Sequence, residues 1–111
     1  VVELARGDLI QVAPEVAIGR EQAGRRPALV IAGPGYLAAV ESLAIVIPLT
    51  SVDRGWPNHV KVRGGQLPAP SWAMTEQLRT ISRERTVGRL GRATPETVAE
   101  ALQWVRDFLE L

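Results

Sequence analysis

No apolar run in this chain is long, and that limits what it can fold into. The longest, Leu43 to Leu49, is about a third of the roughly 20 residues that a bilayer-spanning helix needs. The runs are separated by turn formers, with 10 glycines and 8 prolines among 111 residues. Short apolar stretches closed by Gly and Pro build strands joined by loops rather than long helices. The length suits one compact domain, residues 1–111, with a single core.

Taken in order, Arg6 to Ala13 alternates apolar and polar positions and predicts a first strand entered through a Gly turn. Arg6-Gly7-Asp8 is therefore read as a turn and not as an integrin-binding tripeptide. Residues 14–24 form a polar loop, Pro27 to Ile31 a buried strand, and Gly33-Pro34-Gly35 its stop. Tyr36 to Glu41 predicts one short helical turn. Leu43 to Leu49 reads as a central strand covered on both faces, ended by Thr50. Beyond the 51–58 loop, His59 to Arg63 alternates as a half-exposed strand with His59, Lys61 and Arg63 on one face.

The 64–71 loop leads to Trp72 to Ile81, read as one strand with Gln77 and Arg79 on a common face. Ser82 to Arg85 is a polar turn and Thr86 to Leu90 a last short strand. Thr94-Pro95-Glu96 then announces a helix, with Thr as cap, Pro at the first helical position and Glu facing the positive end of the dipole. Val98, Ala101, Leu102, Val105 and Leu109 share one stripe of it, widened by Trp104 and Phe108. Those two rings either fill the core or meet a second copy of the chain. The expected fold is mainly β with a C-terminal α-helix (α+β): five or six short strands in a curved antiparallel sheet or partial barrel, with the helix against it.

The formal net charge is only +1, but every basic residue except Lys61 is arginine. Arginine suits bidentate phosphate contact and stacking on bases, so an anionic partner and ordinary surface ion pairs are both open readings. With no cysteine and one histidine, neither a disulfide framework nor a thiolate or structural zinc site is expected. Gly88-Arg89-Leu90-Gly91 and Gly33-Pro34-Gly35 lack the spacing of a phosphate-binding loop, so no cofactor is expected either. A Ser/His/Asp triad through His59 lacks any nucleophile-elbow pattern. The opening residues show no secretory leader, which predicts a soluble, cytoplasmic protein with no membrane contact.

One stretch concentrates chemistry. Gly19 to Arg26 carries Glu21, Arg25 and Arg26 and runs without pause into the strand that begins at Pro27. Thr50 ends a separate strand. A guanidinium and a hydroxyl converging at two strand ends would hold a phosphate oxyanion, but spacing alone favours a loop ion pair beside a strand-end hydroxyl. Trp56, Trp72 and Tyr36 lie in or beside loops with basic neighbours, where a ring stacks on an unpaired base or covers the edge of a small core.

Arg6-Gly7-Asp8-Leu9, Gly19-Arg20-Glu21-Gln22-Ala23-Gly24 leading into Arg26-Pro27-Ala28-Leu29-Val30-Ile31, Ile47-Pro48-Leu49-Thr50, and Glu76-Gln77-Leu78-Arg79-Thr80-Ile81 followed by Arg85 together resemble the MazF/PemK family of toxin endoribonucleases. The resemblance covers nearly the whole chain in the family's order. It implies an SH3-like partial barrel, a homodimer, and a metal-independent cut in single-stranded RNA by its own 2′-hydroxyl, leaving 2′,3′-cyclic phosphate and 5′-hydroxyl ends. It also implies neutralisation by a cognate antitoxin with an acidic, partly disordered segment. By position Arg26 matches the family's catalytic arginine, Thr50 its catalytic threonine and Glu21 an acidic residue important in some members. Gln77 and Arg79 match a motif near the bound RNA, and Arg25 stands where some members have histidine.

Because a guanidinium stays protonated at working pH, Arg26 is assigned mainly to phosphate stabilisation, and Glu21 is left as the candidate base. His59, with Lys61 on the same strand face, is a further candidate for RNA contact or proton transfer, against the plain reading of a solvated strand histidine. Two other readings are a toxin of the same fold that binds DNA gyrase and an inert SH3-like binding module.

Overall fold

The computed structural model describes residues 2–14 and 24–111. Within them the strands are β1 (Asp8–Val12), β2 (Arg26–Val30), β3 (Leu43–Thr50), β4 (His59–Lys61), β5 (Trp72–Met74), β6 (Arg79–Ser82) and β7 (Thr86–Arg92), and the helices are α1 (Pro34–Ala39) and α2 (Pro95–Leu109). The sheet runs β4-β5-β3-β2-β1-β7, with β6 also on β3, and all its ladders are antiparallel. An open, barrel-like sheet with a C-terminal helix is what the alternating runs predicted.

Strand β3 is central, as its continuous apolar character requires. One edge pairs with β2; the other pairs with β6 at its start and β5 at its end. Ile31 N–H donates to the Ile45 carbonyl at 3.0 Å, so by alternation Val46 and Pro48 turn their backbone groups to the outer edge. Pro48 has no N–H to give there. The segment expected to be one strand over Trp72 to Ile81 is accordingly broken. Val46 opposes Arg79 and Leu49 opposes Ala73, so three steps along β3 match six along its partner. The surplus is taken up by a 3-10 turn at Thr75–Gln77.

Period-two alternation splits the sheet's side chains into two apolar layers. Leu9, Leu29, Ile47, Leu49, Val60 and Ala73 face α2, where Ala101 is fully buried and Val98, Leu102, Trp104 and Val105 pack around it. Ile10, Val12, Ala28, Val30, Val46 and Ile81 face the other way, toward Leu37 of α1. Trp104 therefore lies on the core, while Phe108 (49% exposed) and Leu109 (57%) do not. Leu109 thus departs from the expected stripe, at the last residue of α2.

The ends of α2 follow the sequence signals. Thr94 Oγ1 accepts from Thr97 N–H at 3.2 Å, Pro95 opens the first turn, and Glu110 closes the helix at φ 57°. Helix α1 begins two residues before the expected helical turn, because Pro34 both stops β2's run and supplies a first helical residue that needs no N–H donor.

Arg83, expected in a polar turn, is 6% exposed. Its guanidinium donates to the carbonyls of Leu43 (2.8 Å), Val40 (2.9 Å), Val2 (3.2 Å) and Leu37, satisfying the free carbonyls at the end of α1. Asp8 accepts from Ala5 N–H at 2.8 Å and from Arg92 at 2.8 Å, which is the turn role read from its tripeptide. At Gly65 (φ +70°) a Cβ would lie 2.4 Å from Leu9 Cδ1 and 2.7 Å from the Leu90 carbonyl, so only glycine lets this loop close on β7.

Candidate active site

Strand pairing brings the two residues singled out for phosphate chemistry together. Ala28 opposes Pro48 in the β2–β3 ladder, and continuing that register by two residues places Arg26 across from Thr50. Adjacent strands lie about 4.8 Å apart, so both side chains can reach one phosphate. Pro27, directly after Arg26, fixes the backbone there and holds Arg26 in the extended conformation of the β2 start.

Arg26 sits where two clefts meet. One, of about 520 Å³, is lined by Arg25, Arg26, Thr50, Ser51, Arg54 and Ser71 among others. The second, of about 340 Å³, has an apolar floor of Val12, Ala28, Val46 and Ile81 and is rimmed by Arg26, Arg79 and Arg85. Among the described residues, the carboxylates that form ion pairs are Asp8, with Arg89 and Arg92, and Glu76, with His59. The cleft arginines 25, 26, 54 and 79 are thus not neutralised by a described carboxylate and can meet an anion.

The Thr50 hydroxyl oxygen accepts from Val52 N–H at 3.1 Å. That engages one lone pair and leaves the O–H free to donate. On the far side Thr50 opposes Trp72, which opposes Lys61. Direct cross-strand partners share a face, so Arg26, Thr50, Trp72 and Lys61 form a row across four strands, about 14 Å from end to end. Lys61 is exposed, with Nζ 5.1 Å from the Trp72 ring centroid.

His59 corrects an expectation. It was placed on a half-exposed strand, available to RNA, but it is 6% exposed. The Trp56 ring covers it at a centroid distance of 4.7 Å, and Nε2 lies 3.1 Å from both carboxylate oxygens of Glu76. Strand alternation gave the right face, which Lys61 occupies in solvent, but could not reveal that a residue from the loop before β4 and one from the turn after β5 close over its first position. His59 is therefore not a solvated histidine and presents no surface to RNA.

Burial raises the Glu76 pKa, but the hydrogen bond from His59, its own backbone N–H, the positive field of His59 and the Asn58 amide outweigh that and hold the carboxyl below its ordinary 4.5. Gln77 and Arg79 follow directly, both exposed. Arg79 Nη2 approaches Gln77 Oε1 at 3.5 Å, and Arg79 reaches the rim of the same cleft as Arg26.

The site thus gathers Arg25, Arg26, Thr50 and Arg79, with Gln77 and Lys61 at its margins. Glu21 lies outside the described residues. Arg54 and Arg85, which line the two clefts, were not singled out from the sequence. The motif ending at Arg85 was a signal for one of them; nothing in the local pattern marked the other.

A family model described as the PemK-like, MazF-like toxin of type II toxin–antitoxin systems matches residues 5–109. The endoribonuclease toxin MazF of Escherichia coli (strain K12) is 32% identical over 91 residues, covering 81% of this chain and 79% of that protein. A crystal structure of MazF from Deinococcus radiodurans superposes with a TM-score of 0.78 at 27% identity, covering 97% of each chain. A MazE–MazF structure from the same organism gives 0.80 at 27% identity over 97% of this chain and 96% of that one.

Proposed function

The chain belongs to the PemK-like, MazF-like toxins of type II toxin–antitoxin systems, and from that premise we propose that the Arg26–Thr50 pair is the catalytic centre of an endoribonuclease acting on single-stranded RNA. The observation that carries this reading is their opposition at the ends of β2 and β3, beside clefts lined by arginines. The E. coli relative is named an endoribonuclease toxin, and this chain is an enzyme of the same kind. The whole of residues 1–111 is read as one toxin domain.

In this reading the scissile phosphate sits against Arg26 and Thr50. The ribose 2′-hydroxyl oxygen attacks phosphorus and gives its proton to a base, for which Glu21 is the candidate. The bond from phosphorus to the 5′-oxygen breaks, and that oxygen takes a proton, leaving a 2′,3′-cyclic phosphate and a 5′-hydroxyl end. No metal is called on. Arg26 and the Thr50 O–H stabilise the charge that builds on the phosphate oxygens, a contribution of about 2.7–4 kcal/mol for one such donor. Arg25, Gln77, Arg79 and Lys61 hold the flanking nucleotides by phosphate and base-edge contacts.

The relatives solved with MazE support a cognate antitoxin as the partner, whose acidic, disordered segment would lie along the same arginines and compete with RNA. A homodimer is the expected assembly. Among the described residues no helix is long and apolar enough to cross a membrane. The test is incubation with a long single-stranded transcript in EDTA followed by mapping of the fragment ends. Cyclic phosphate and 5′-hydroxyl ends at recurring sequences support the reading; intact RNA together with inhibited DNA gyrase would transfer the chain to a binding toxin of the same fold.

A further inference from the structure

The 3-10 turn at Thr75–Gln77 is a three-residue excess in the ladder along β3, placed where Pro48 gives no N–H. Its hold on the protein comes instead from two residues at the entrance to β4. Thr75 is 2% exposed and its hydroxyl donates to the Asn58 carbonyl at 2.7 Å. Asn58 Nδ2 reaches Glu76 Oε1 at 2.8 Å and Thr75 Oγ1 at 3.3 Å. His59 Nε2 lies 3.1 Å from each Glu76 oxygen.

The imidazole is committed to this contact. Two carboxylate oxygens at Nε2 require that nitrogen to carry the proton. Nδ1 is buried with no hydrogen-bond partner among the described residues, and Trp56 packs over the ring. A buried imidazole with one nitrogen unsatisfied carries a stability cost. What the arrangement secures is direction. Glu76 is fixed from one side, and beyond the turn Arg79 reaches the rim of the cleft that Arg26 lines, with Gln77 beside it.

We infer that His59 is a positioning residue for RNA: through Glu76 it sets the turn that presents Gln77 and Arg79, and it acts without touching the substrate. The inference rests on the nuclease reading above. It assigns His59 to recognition of the nucleotides beside the scissile phosphate, leaving the chemical step to Arg26 and Thr50. Loss of His59 then weakens substrate binding and blurs the choice of cleavage sequence while the rate of the bound substrate holds.

The experiment compares the unmodified chain with His59→Ala, His59→Gln, Glu76→Ala and the double variant His59→Ala/Glu76→Ala on one defined single-stranded transcript. Cleavage kinetics, fragment ends and the folded fraction are measured for each. Gln carries an amide NH2 at nearly the reach of Nε2, so His59→Gln is expected to retain the turn and near-normal KM. His59→Ala is expected to raise KM by about tenfold with kcat within about twofold, and to add secondary cleavage sites. The double variant is expected to lose no more than Glu76→Ala alone, because the contact with His59 is already gone in that variant.

A His59→Ala that loses activity only in proportion to its folded fraction, or lowers kcat at constant KM, overturns the inference, as does an additive double variant. If His59→Ala does not fold, the same comparison is made between His59→Gln and Glu76→Ala, where normal KM and unchanged cleavage sites in Glu76→Ala overturn it. An unmodified chain that leaves the transcript intact overturns the nuclease reading itself, and this inference with it, so the two failures have different signatures.

Discussion

Arg26 and Thr50 line one cleft, brought together by a β2–β3 register that runs two residues on from the Ala28–Pro48 pair, although 23 residues of chain, α1 included, lie between them. The backbone positions of the two residues are therefore set by the sheet, through a register that the buried face of β2 and β3 specifies. A transition state gains most from donors that need no rearrangement when charge develops.

Arg26→Ala is expected to lower RNA cleavage by about 10²–10³-fold, with the melting temperature close to that of the unmodified chain, because the side chain is exposed at the cleft. Single-turnover cleavage and thermal unfolding measured on the same preparation check this. Arg26→Lys is expected to recover little, since a point charge does not reproduce the planar fork on a phosphate.

Thr50 separates a donor from a shape. Thr50→Ser keeps the oxygen that accepts from Val52 N–H and the free O–H, and is expected to cleave within about threefold of the unmodified chain. Thr50→Val keeps the volume, loses both interactions, and is expected to lower kcat by up to about 10²–10³-fold with a stability loss of about 1 kcal/mol. Equal activity in Ser and Val variants would remove the hydroxyl from the chemistry.

The sequence made much of this architecture readable, and the failures have a common cause. Gly and Pro boundaries, the Thr94-Pro95 cap and the apolar Leu43 to Leu49 run each carry their signal locally, and those elements appear where expected. Arg26 and Thr50 were picked out by a resemblance; from spacing alone their convergence was one of two readings, because register is a property of strand pairing. Burial of His59 and Arg83 was invisible for the same reason. Each polar side chain is buried by partners far along the chain, Glu76 for one and the carbonyls of Val2, Leu37, Val40 and Leu43 for the other. The break at Thr75–Gln77 lies opposite the Pro48 region of β3, with β4 and β5 between them in the chain, so no local pattern marks it.

Arg83 tests the fold without touching the site. Arg83→Met is expected to cost at least about 3 kcal/mol, because it strips donors from one buried and three part-buried carbonyls at once and hydrogen bonds from a charged group are worth about 1.5–3 kcal/mol each. Arg83→Lys is expected to restore only part, as one ammonium cannot reach carbonyls on three separate segments. Urea unfolding midpoints report the loss. Cleavage per folded molecule is expected to stay unchanged, since Arg83 lines neither of the clefts around Arg26.

The pH dependence of stability carries a readable sign at Glu76. Its carboxyl is held below 4.5 in the folded chain, burial raising it and the His59 hydrogen bond, the backbone N–H, the His59 charge and Asn58 together lowering it further. Between the folded and unfolded values the unfolded chain binds more protons, so stability rises with pH there. The contribution is complete above the unfolded value and is lost as pH falls through the folded one. Melting temperatures of the unmodified chain and Glu76→Gln, taken from about pH 7 down to about pH 3, are expected to differ at neutral pH and to converge in acid. A difference that stays constant across that range would mean that the Glu76 charge, and hence its pairing with His59, does not contribute to holding the turn.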